Sequence, residues 1–406
     1  NDSLGHTVGD ELLIALAGRL RSSLRPSEHI ARLGGDEFTI ILSDTRSLSE
    51  ALAVVERLQK QLARPFRIGE YRLYLSASVG VVHHIGSYEL PEELLRDADL
   101  AMYQAKGSGK GQCAVFDTAL RERAVSRMRL ESDLRLALQR GELQVYFQPI
   151  LELGNGRSGI GSGLASGVGR GAQLAGFETL VRWRHPERGM VPPDEFISVA
   201  EDTGLIADID FWVVREACER IGSWLPARSA PEPLELSVNF SGRHFARSDL
   251  YGRLQAIFRD TGFAPERLNI EITETVLMDD TAHTQKMLAQ LRNLGISLHI
   301  DDFGTGYSSL SYLQRFAANG LKIDRSFITR LSDAKGAELV RALIAMAHSL
   351  DMRVTAEGVE TEGQLSALSA FGCDFAQGFL LARPSPELGD FGHLLGADLR
   401  AVAALS

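Results

Sequence analysis

The chain has 406 residues, enough for two or three domains that each bury a core. Its 44% apolar and 24% charged residues are ordinary for a globular protein, and no apolar run reaches the ~18 residues of a membrane span. The 43 basic and 53 acidic residues give a net charge of -10, which argues against binding to a nucleic-acid polymer, because contacts to a phosphate backbone require an excess of Lys and Arg.

Three widely separated cysteines, Cys113, Cys218 and Cys373, lack the spacing of metal ligands. Their odd number argues against a disulfide framework and for a reducing compartment. We therefore expect structural thiols and a cytoplasmic location. Asn1 is not an initiator Met and no signal-peptide pattern follows it, so we interpret the chain as a fragment whose upstream region, absent here, would provide any membrane attachment.

The first part of the chain, residues 1–117, alternates helical and strand patterns. Residues 10–24 have helical spacing, and residues 29–42 indicate two short strands around a Gly-Gly turn, which together predict a compact α/β domain. Residues 118–139 carry Leu and Met at helical spacing without Gly or Pro, and this pattern predicts one amphipathic helix that joins two domains.

The second domain, residues 140–406, repeats one theme. An apolar, strand-like run ends in a polar residue and a helical segment follows, at intervals of roughly 20 to 60 residues. This repeat predicts a (β/α)₈ barrel, in which the carboxyl ends of the strands meet at one mouth. After a strand at 143–153, a glycine-rich insert at 154–171 interrupts the pattern, and we expect it to be mobile. The polar residues at the predicted strand ends are Glu178, Asn239, Glu271, Asp301, Asp302, Lys322, Glu357 and Gln377.

Five of these residues are carboxylates. A single polar residue at a strand end is most simply explained by the chain leaving the core, but five carboxylates in one mouth would repel each other unless cations neutralise them. Oxygen ligands with one Asn carbonyl suit Mg²⁺ or Mn²⁺ better than zinc. Two such ions can activate a water and stabilise the charge that develops on a phosphodiester, so the pattern indicates hydrolysis of a phosphate ester.

The same residues belong to short motifs that occur in a specific order. The motifs are Gln148-Pro149-Ile150, Glu178-Thr179-Leu180, Asn239-Phe240-Ser241, Glu271-Ile272-Thr273-Glu274, Asp301-Asp302-Phe303-Gly304, Lys322-Ile323-Asp324, Glu357-Gly358-Val359-Glu360 and Gln377-Gly378-Phe379. With this series, the segment from about Glu131 to the C-terminus resembles the EAL domain, the bacterial cyclic di-GMP phosphodiesterase family. The resemblance implies hydrolysis of cyclic di-GMP to linear pGpG.

The resemblance also implies roles for single residues. Two metal ions, Mg²⁺ or Mn²⁺, would be bound: the first by Glu178, Asn239, Glu271 and Asp301, the second by Asp301, Asp302 and Glu357. Lys322 would position the attacking water, and Glu178, Asp302, Lys322 and Glu357 would be the catalytic residues. Substrate would contact Gln148, Arg182, Asp324 and Gln377, while Glu274 would brace the loop from Asp302 to Ser309.

One signature residue departs from the family. Thr179 replaces the usual Ala, but the neighbouring metal ligand Glu178 is kept. We expect reduced or tuned activity at most. The alternative is a non-catalytic cyclic di-GMP receptor; such a protein should have lost metal ligands or the lysine, and this chain has lost neither.

The first domain carries a second set of motifs. Its predicted hairpin turns at Gly34-Gly35-Asp36-Glu37, and Ala105-Lys106 begins a polar, glycine-containing segment that ends at Lys110. These residues, with Asn1 and Asp10, resemble the GGDEF domain, the diguanylate cyclase family that makes cyclic di-GMP from GTP. By that resemblance Asn1 and Asp10 would read guanine, Asp36 would bind metal, Glu37 would act at the turn formed by Gly34 and Gly35, and Lys106 and Lys110 would contact phosphates.

The family's first metal-binding Asp lies on a strand upstream of Asn1. We therefore expect no cyclase activity from this chain, and a GGDEF domain that serves as a regulatory GTP-binding module or, in the full-length protein, as a cyclase. The resemblance further implies a homodimer. The expected architecture is α/β throughout: a truncated GGDEF domain of the nucleotidyl-cyclase type, a linker helix and a TIM-barrel-like EAL domain.

Overall fold

A computed structural model of the chain describes residues 6–43, 45–83, 85–107, 109, 111–153, 173–224, 234–247, 249–274, 276, 282–304, 316 and 318–394. The chain divides into two compact units between residues 129 and 130. The glycine-rich insert, Asn1, Lys110 and the loop that follows Gly304 were all named in predictions, and they lie outside the described residues.

The first unit contains, before residue 118, short paired strands and three α-helices among its described residues. The elements are α1 (His6–Ser22), β1 (His29–Gly34), β2 (Glu37–Ile41), α2 (Leu48–Leu62), β3 (Phe66–Ile68), β4 (Tyr71–Leu73), β5 (Val79–Val81), α3 (Pro91–Gly107) and β6 (Cys113–Val115). The predicted hairpin is confirmed: β1 and β2 pair antiparallel, and Gly35 turns the chain with φ of 51°, a conformation that glycine adopts without strain. Leu20, Leu58 and Phe66 are among the buried residues that form the core of this unit.

The predicted amphipathic helix is present as α4 (Thr118–Arg140). Leu130, Leu134 and Ala137 of its second half are buried in the core of the second unit. Gly141 follows the last residue with φ of 66°, which ends the helix. The domain boundaries at residues 117 and 139 stay a prediction. None of the described helices combines the length and the apolar character that crossing a membrane requires.

The second unit is a closed barrel. Its strands are β7 (Leu143–Glu152), β8 (Gln173–His185), β9 (Gly189–Val191), β10 (Glu235–Asn239), β11 (Leu268–Thr273), β12 (Ser297–Phe303), β13 (Gly320–Ile323), β14 (Arg353–Ala356) and β15 (Phe375–Ala376). Within the described ranges, β7, β8 and β10 to β15 form the barrel, which closes because β8 pairs with β10 and β15 pairs with β7. The short β9 extends the sheet beside β8. The predicted barrel is therefore confirmed.

One strand of the barrel runs against the others. β7 is antiparallel to both of its neighbours, whereas the pairings from β8 through β10 to β15 are parallel. The closure also depends on Gly176 of β8, where an added Cβ would lie 2.2 Å from the carbonyl oxygen of Glu235 in β10. Only glycine permits this close approach of the two backbones.

Helices follow most of the parallel strands. They are α5 (Pro193–Thr203), α6 (Ile206–Trp224), α7 (Leu250–Thr261), α8 (Ala282–Asn293), α9 (Arg325–Ile328), α10 (Ala334–Ser349) and α11 (Glu362–Phe371). Strands covered on both faces are expected to be apolar throughout, and β11 and β13 are buried along most of their length. The few polar side chains within these strands are therefore conspicuous, and they define the site.

Candidate metal centre

The parallel strands bring most of the predicted residues to one end of the barrel. Asn239 is the last residue of β10, Asp301 and Asp302 are near the end of β12, and Glu357 and Gln377 directly follow β14 and β15. Carboxyl ends of parallel barrel strands form the mouth where active sites are found.

Glu178 reaches the same site differently. We expected it to end a strand, and this was wrong, because β8 continues for seven residues to His185. Glu178 lies in the middle of β8, directly opposite Gln148 of the reversed strand β7. The antiparallel β7–β8 pair thus places a carboxylate and an amide side by side within the barrel wall.

Lys322 is the centre of the cluster and is buried, with only 1% of its side chain exposed. Its Nζ lies 2.5 Å from Glu357 Oε1, 2.7 Å from Glu271 Oε2 and 3.2 Å from Asp301 Oδ1. Glu178 Oε2 is 3.4 Å away. One ammonium group therefore contacts four of the five predicted carboxylates.

Amide side chains complete the environment of Glu178. Asn239 Nδ2 donates a hydrogen bond of 2.8 Å to Glu178 Oε1, and Gln377 Nε2 donates one of 2.6 Å to Oε2. Gln377 Nε2 also lies 2.9 Å from Gln148 Oε1, and Gln148 in turn donates to the carbonyl oxygen of Ala382. The Glu178 carboxylate therefore brings together Asn239, Gln377 and, through Gln377, Gln148, which are far apart in the sequence.

The charges in this cluster shift the pKa values of its members. Burial would lower the pKa of Lys322, but the surrounding carboxylates hold it well above its ordinary value, so the group stays protonated. Burial raises the pKa of Glu271 well above its ordinary value, and it raises the pKa of Glu357 to about 8, although Lys322 opposes both shifts. For Glu178, Lys322 and the two amide donors outweigh the effect of burial, and its pKa is lowered.

The cluster fits a divalent cation on three grounds. Carboxylate oxygens of Asp301, Asp302 and Glu357 lie within 4.8 Å of one another, close enough to bind one ion. Glu271 Oε1 is buried and has no hydrogen-bond partner in the described part of the chain, which leaves an oxygen ligand unsatisfied. The donors are all hard oxygens, which suits Mg²⁺ or Mn²⁺. Carboxylates crowded in this way repel each other, and a bound cation would replace that repulsion with attraction.

The backbone beside the cluster is strained. Asp302 has φ of 52°, a left-handed conformation that non-glycine residues rarely adopt. Gly304 follows with φ of 97°, and a Cβ there would lie 2.6 Å from the ring of Phe327. The sharp turn directs the Asp302 carboxylate, which is exposed, towards the group formed with Asp301 and Glu357.

Three further predicted residues make, within the described parts of the chain, no contact with the carboxylate cluster that would show their role. Arg182 is half-buried and its guanidinium lies 5.6 Å from the ring centroid of Tyr146. Asp324 caps α9 by accepting a hydrogen bond of 3.0 Å from the backbone N–H of Ser326. Glu274 is buried, and neither of its carboxylate oxygens has a hydrogen-bond partner among the described residues. The binding roles of Arg182 and Asp324 and the bracing role of Glu274 stay predictions.

Thr179 points away from the carboxylate cluster. Successive side chains of a strand face opposite sides, so Thr179 and Glu178 lie on different faces of β8. The Thr179 hydroxyl donates a hydrogen bond of 2.9 Å to the carbonyl oxygen of Ser237 in β10. The added hydroxyl is thereby satisfied within the barrel wall.

Residues that the sequence reasoning missed lie directly behind Asn239. Asp210 of α6 accepts hydrogen bonds from the Ser241 backbone and from His244, and Glu201 of α5 accepts one from the Ser241 hydroxyl. A signal was available for Asp210, because it stands between Ile209 and Phe211 on the buried face of an amphipathic helix. An acidic residue among core positions requires a partner.

The nucleotide residues predicted for the first unit are exposed wherever the structure describes them. Asp36 and Glu37 lie at the hairpin turn, and Asp10 on α1 contributes to a cavity of about 460 Å³ beside the hairpin. Lys106 lies in the last turn of α3. Their roles in nucleotide binding stay predictions.

The fold and the site define a class: an eight-stranded barrel protein with an acidic, lysine-centred candidate cation site at its mouth. Comparison with known proteins makes the class specific. The "EAL domain" family profile matches residues 168–384, and the profile "Diguanylate cyclase, GGDEF domain" matches residues 1–112. The chain belongs to the EAL domain family and carries a GGDEF domain before it.

Proteins similar to this chain include one named as both a cyclase and a phosphodiesterase and one named as a phosphodiesterase. The chain is 38% identical over 95% of its length to "Bifunctional diguanylate cyclase/cyclic di-GMP phosphodiesterase MucR" of Pseudomonas aeruginosa, of which it covers 54%. It is 40% identical over 95% of its length to "Cyclic di-GMP phosphodiesterase NbdA" of the same organism, of which it covers 47%. The chain therefore spans about half the length of these relatives. The solved structure "PaMucR Phosphodiesterase, c-di-GMP complex" matches 64% of this chain and 98% of its own, with a TM-score of 0.56 and 39% identity.

Proposed function

We propose that the barrel hydrolyses cyclic di-GMP to linear pGpG at the mouth described above. The observation that carries this proposal is the complete, unbroken cluster of carboxylates and Asn239 around protonated Lys322 in a member of the EAL family. The names of MucR and NbdA and the ligand in the MucR structure support cyclic di-GMP as the substrate.

The site would bind two ions, Mg²⁺ or Mn²⁺. Glu178, Asn239, Glu271 and Asp301 would hold one ion, and Asp301, Asp302 and Glu357 the other. When bound, these ions would lower the pKa of a water and neutralise charge on the phosphodiester. The unsatisfied Glu271 oxygen and the crowded carboxylates support this assignment.

The side chains of the chain itself perform the remaining steps. Because Lys322 stays protonated, it donates a hydrogen bond to the attacking water and cannot act as the base. A carboxylate, Asp302 or Glu357, accepts the proton of the water. The water oxygen then bonds to phosphorus, the bond from phosphorus to the 3′ oxygen breaks, and that oxygen takes up a proton. Arg182 would contact a ligand phosphate.

The first unit would regulate the barrel by binding GTP. The GGDEF profile match and the cavity beside Asp10 support this role. A GTP titration followed by phosphodiesterase rates, with Asp10→Ala as the variant, tests it: a GTP effect that Asp10→Ala leaves intact would contradict the proposal. We also propose a homodimer in the cytoplasm. The exposed apolar residues Val125 and Met128 of α4 are compatible with a helix contact between subunits.

Chromatography of the reaction tests the proposed hydrolysis. The chain is incubated with cyclic di-GMP and Mg²⁺ or Mn²⁺, and linear pGpG is expected as the product. Glu178→Ala should abolish turnover because it removes a ligand from the shared cluster. Glu152→Ala, an exposed carboxylate at the end of β7, is the matched control and should retain activity. Tight binding of cyclic di-GMP without turnover would refute the proposal and favour a receptor.

A further inference from the structure

The segment that follows Asn239 is fixed by two carboxylates from neighbouring helices. Ser241 Oγ donates a hydrogen bond of 2.9 Å to Glu201 Oε1 of α5. Asp210 Oδ2 of α6 accepts one of 3.2 Å from the Ser241 backbone N–H and contacts His244 Nε2 at 2.8 Å. The short 3₁₀ turn Gly242–Ala246, which carries His244, is thereby attached to α6.

The Asp210–His244 pair lies in an apolar environment. The His244 side chain is completely buried, and 10% of the Asp210 side chain is exposed. The ring centroids of Phe211 and Phe240 lie 5.0 and 4.6 Å from that of His244. A buried pair of this kind costs desolvation, and apolar residues could fill the same space, so its contribution to stability does not by itself explain it. The pair instead fixes the orientation of the 3₁₀ turn, because hydrogen bonds are directional.

Asn239 lies between two fixed points of the backbone. Before it, β10 is paired on both sides within the barrel. After it, the Phe240 N–H donates a hydrogen bond of 2.9 Å to the carbonyl oxygen of Glu271, and Ser241 is attached to Asp210 and Glu201. The Asn239 amide nitrogen donates to Glu178, which leaves its carbonyl oxygen for another partner. A shift of the turn would move this side chain and the bond to Glu178 together.

We propose that Asp210 and His244 are positioning residues for Asn239, acting through the 3₁₀ turn to hold its amide in the orientation that binds a divalent cation. The inference rests on the proposed function, because it assigns Asn239 to the metal site. Groups that orient metal ligands typically change metal affinity by about 10–100-fold when they are removed.

The test compares two substitutions of one residue in the full chain. His244→Leu removes the hydrogen bond to Asp210, whereas His244→Gln keeps a donor of similar reach. Mn²⁺ binding is measured without substrate, by electron paramagnetic resonance of free Mn²⁺ during a titration. We expect His244→Leu to weaken Mn²⁺ binding about 10–100-fold and His244→Gln to restore most of it. The kcat for cyclic di-GMP should fall with the metal affinity at saturating substrate, while KM changes little.

A second His–Asp pair in the barrel provides a matched control. His348 Nε2 lies 2.8 Å from Asp374 Oδ2, and that carboxylate also accepts the backbone N–H of Val354 at 2.8 Å. This pair supports the amino end of β14, away from the mouth. His348→Leu should leave Mn²⁺ binding unchanged, whatever its effect on stability.

Each outcome gives a decision. If His244→Leu folds and binds Mn²⁺ as the parent chain does, the pair is only structural and the inference is overturned. If the parent chain itself binds no Mn²⁺, the proposed function fails and not the positioning alone. If His244→Leu does not fold, Asp210→Asn keeps the shape of the side chain and removes the carboxylate that contacts both His244 and the Ser241 backbone, and unchanged Mn²⁺ binding by that variant overturns the inference.

Discussion

Replacing Lys322 by Met should destabilise the barrel strongly in the absence of metal. The ammonium lies 2.5 to 3.4 Å from four carboxylates, and at an effective dielectric constant of ~20 each contact is worth about 5–7 kcal/mol before desolvation. The sum applies only where both groups are charged, and the raised pKa values of Glu271 and Glu357, together with desolvation at several kcal/mol for each charged group, cancel most of it. Removing one partner of a buried cluster leaves the others unpaired, and we expect the free energy of unfolding to fall by about 3–5 kcal/mol.

Divalent cations should reverse much of this loss, because they neutralise the same carboxylates. All three tryptophans, Trp183, Trp212 and Trp224, belong to the barrel unit, so urea denaturation followed by tryptophan fluorescence reports on the barrel alone. The experiment compares Lys322→Met with the parent chain in EDTA and in Mn²⁺.

Lys335→Met, which changes an exposed lysine of α10, is the matched control and should cost less than about 0.5 kcal/mol. Equal stability of Lys322→Met and the parent chain in EDTA would show that the ammonium does not offset the carboxylates. A Lys322→Met variant that Mn²⁺ fails to stabilise would contradict the assignment of these carboxylates as metal ligands.

Three further predictions concern single interactions. Thr179→Ala should change kcat less than about threefold and lower stability by about 1 kcal/mol, since it removes only a buried bond to Ser237; a large fall in kcat in the phosphodiesterase assay would contradict this. In EDTA, stability should fall as the pH rises from about 4.5 to 8, because folding raises the pKa of Glu357 to about 8 and the folded chain retains a proton that the unfolded chain releases; Mn²⁺ should flatten this slope in urea denaturation. Arg121→Met should destabilise the first unit by about 1–3 kcal/mol, because buried Asp97 loses its nearest cation and keeps only Arg96 at 3.9 Å and the Tyr88 hydroxyl, and hydrogen exchange of α3 should increase accordingly.

The barrel could be predicted because its signals are local. Apolar runs that end in polar residues give strand ends, and βα units at regular spacing give a barrel. The reversal of β7 could not be predicted in this way, since direction depends on which strands pair and both pairings of β7 join residues far apart, such as Phe375 with Glu152. The strand-like pattern of residues 175–183 predicts most of β8, and the error was to place Glu178 at its end. Glu178 is followed by polar and apolar residues without a turn signal, so the strand had no visible end until His185.

The sequence predicted which side chains gather at the mouth, but not how they are arranged relative to one another; their role as metal ligands stays a prediction. Residue types at strand ends indicate an acidic mouth, yet no pattern in the sequence states that Lys322 contacts four carboxylates at once. The residues that hold the turn after Asn239 were harder to predict than the cluster itself. Asp210 and His244 lie 34 positions apart and meet only because α6 packs beside the turn after β10. Such contacts follow from tertiary packing, which local periodicity does not encode.

The position of Thr179 shows why one altered signature residue need not affect the site. A strand alternates its side chains between two faces, so the residue after Glu178 necessarily points to the opposite face of the sheet. In β8 Thr179 lies at the contact with β10, where its hydroxyl bonds to Ser237 and where Gly176 permits the backbones to approach. The middle position of this motif is therefore constrained by how closely β8 and β10 pack, and the first position by the charges of the carboxylate cluster around Lys322. A substitution at Glu178 therefore changes the electrostatics of the site, whereas one at Thr179 changes the packing of β8 against β10, although the two residues are adjacent.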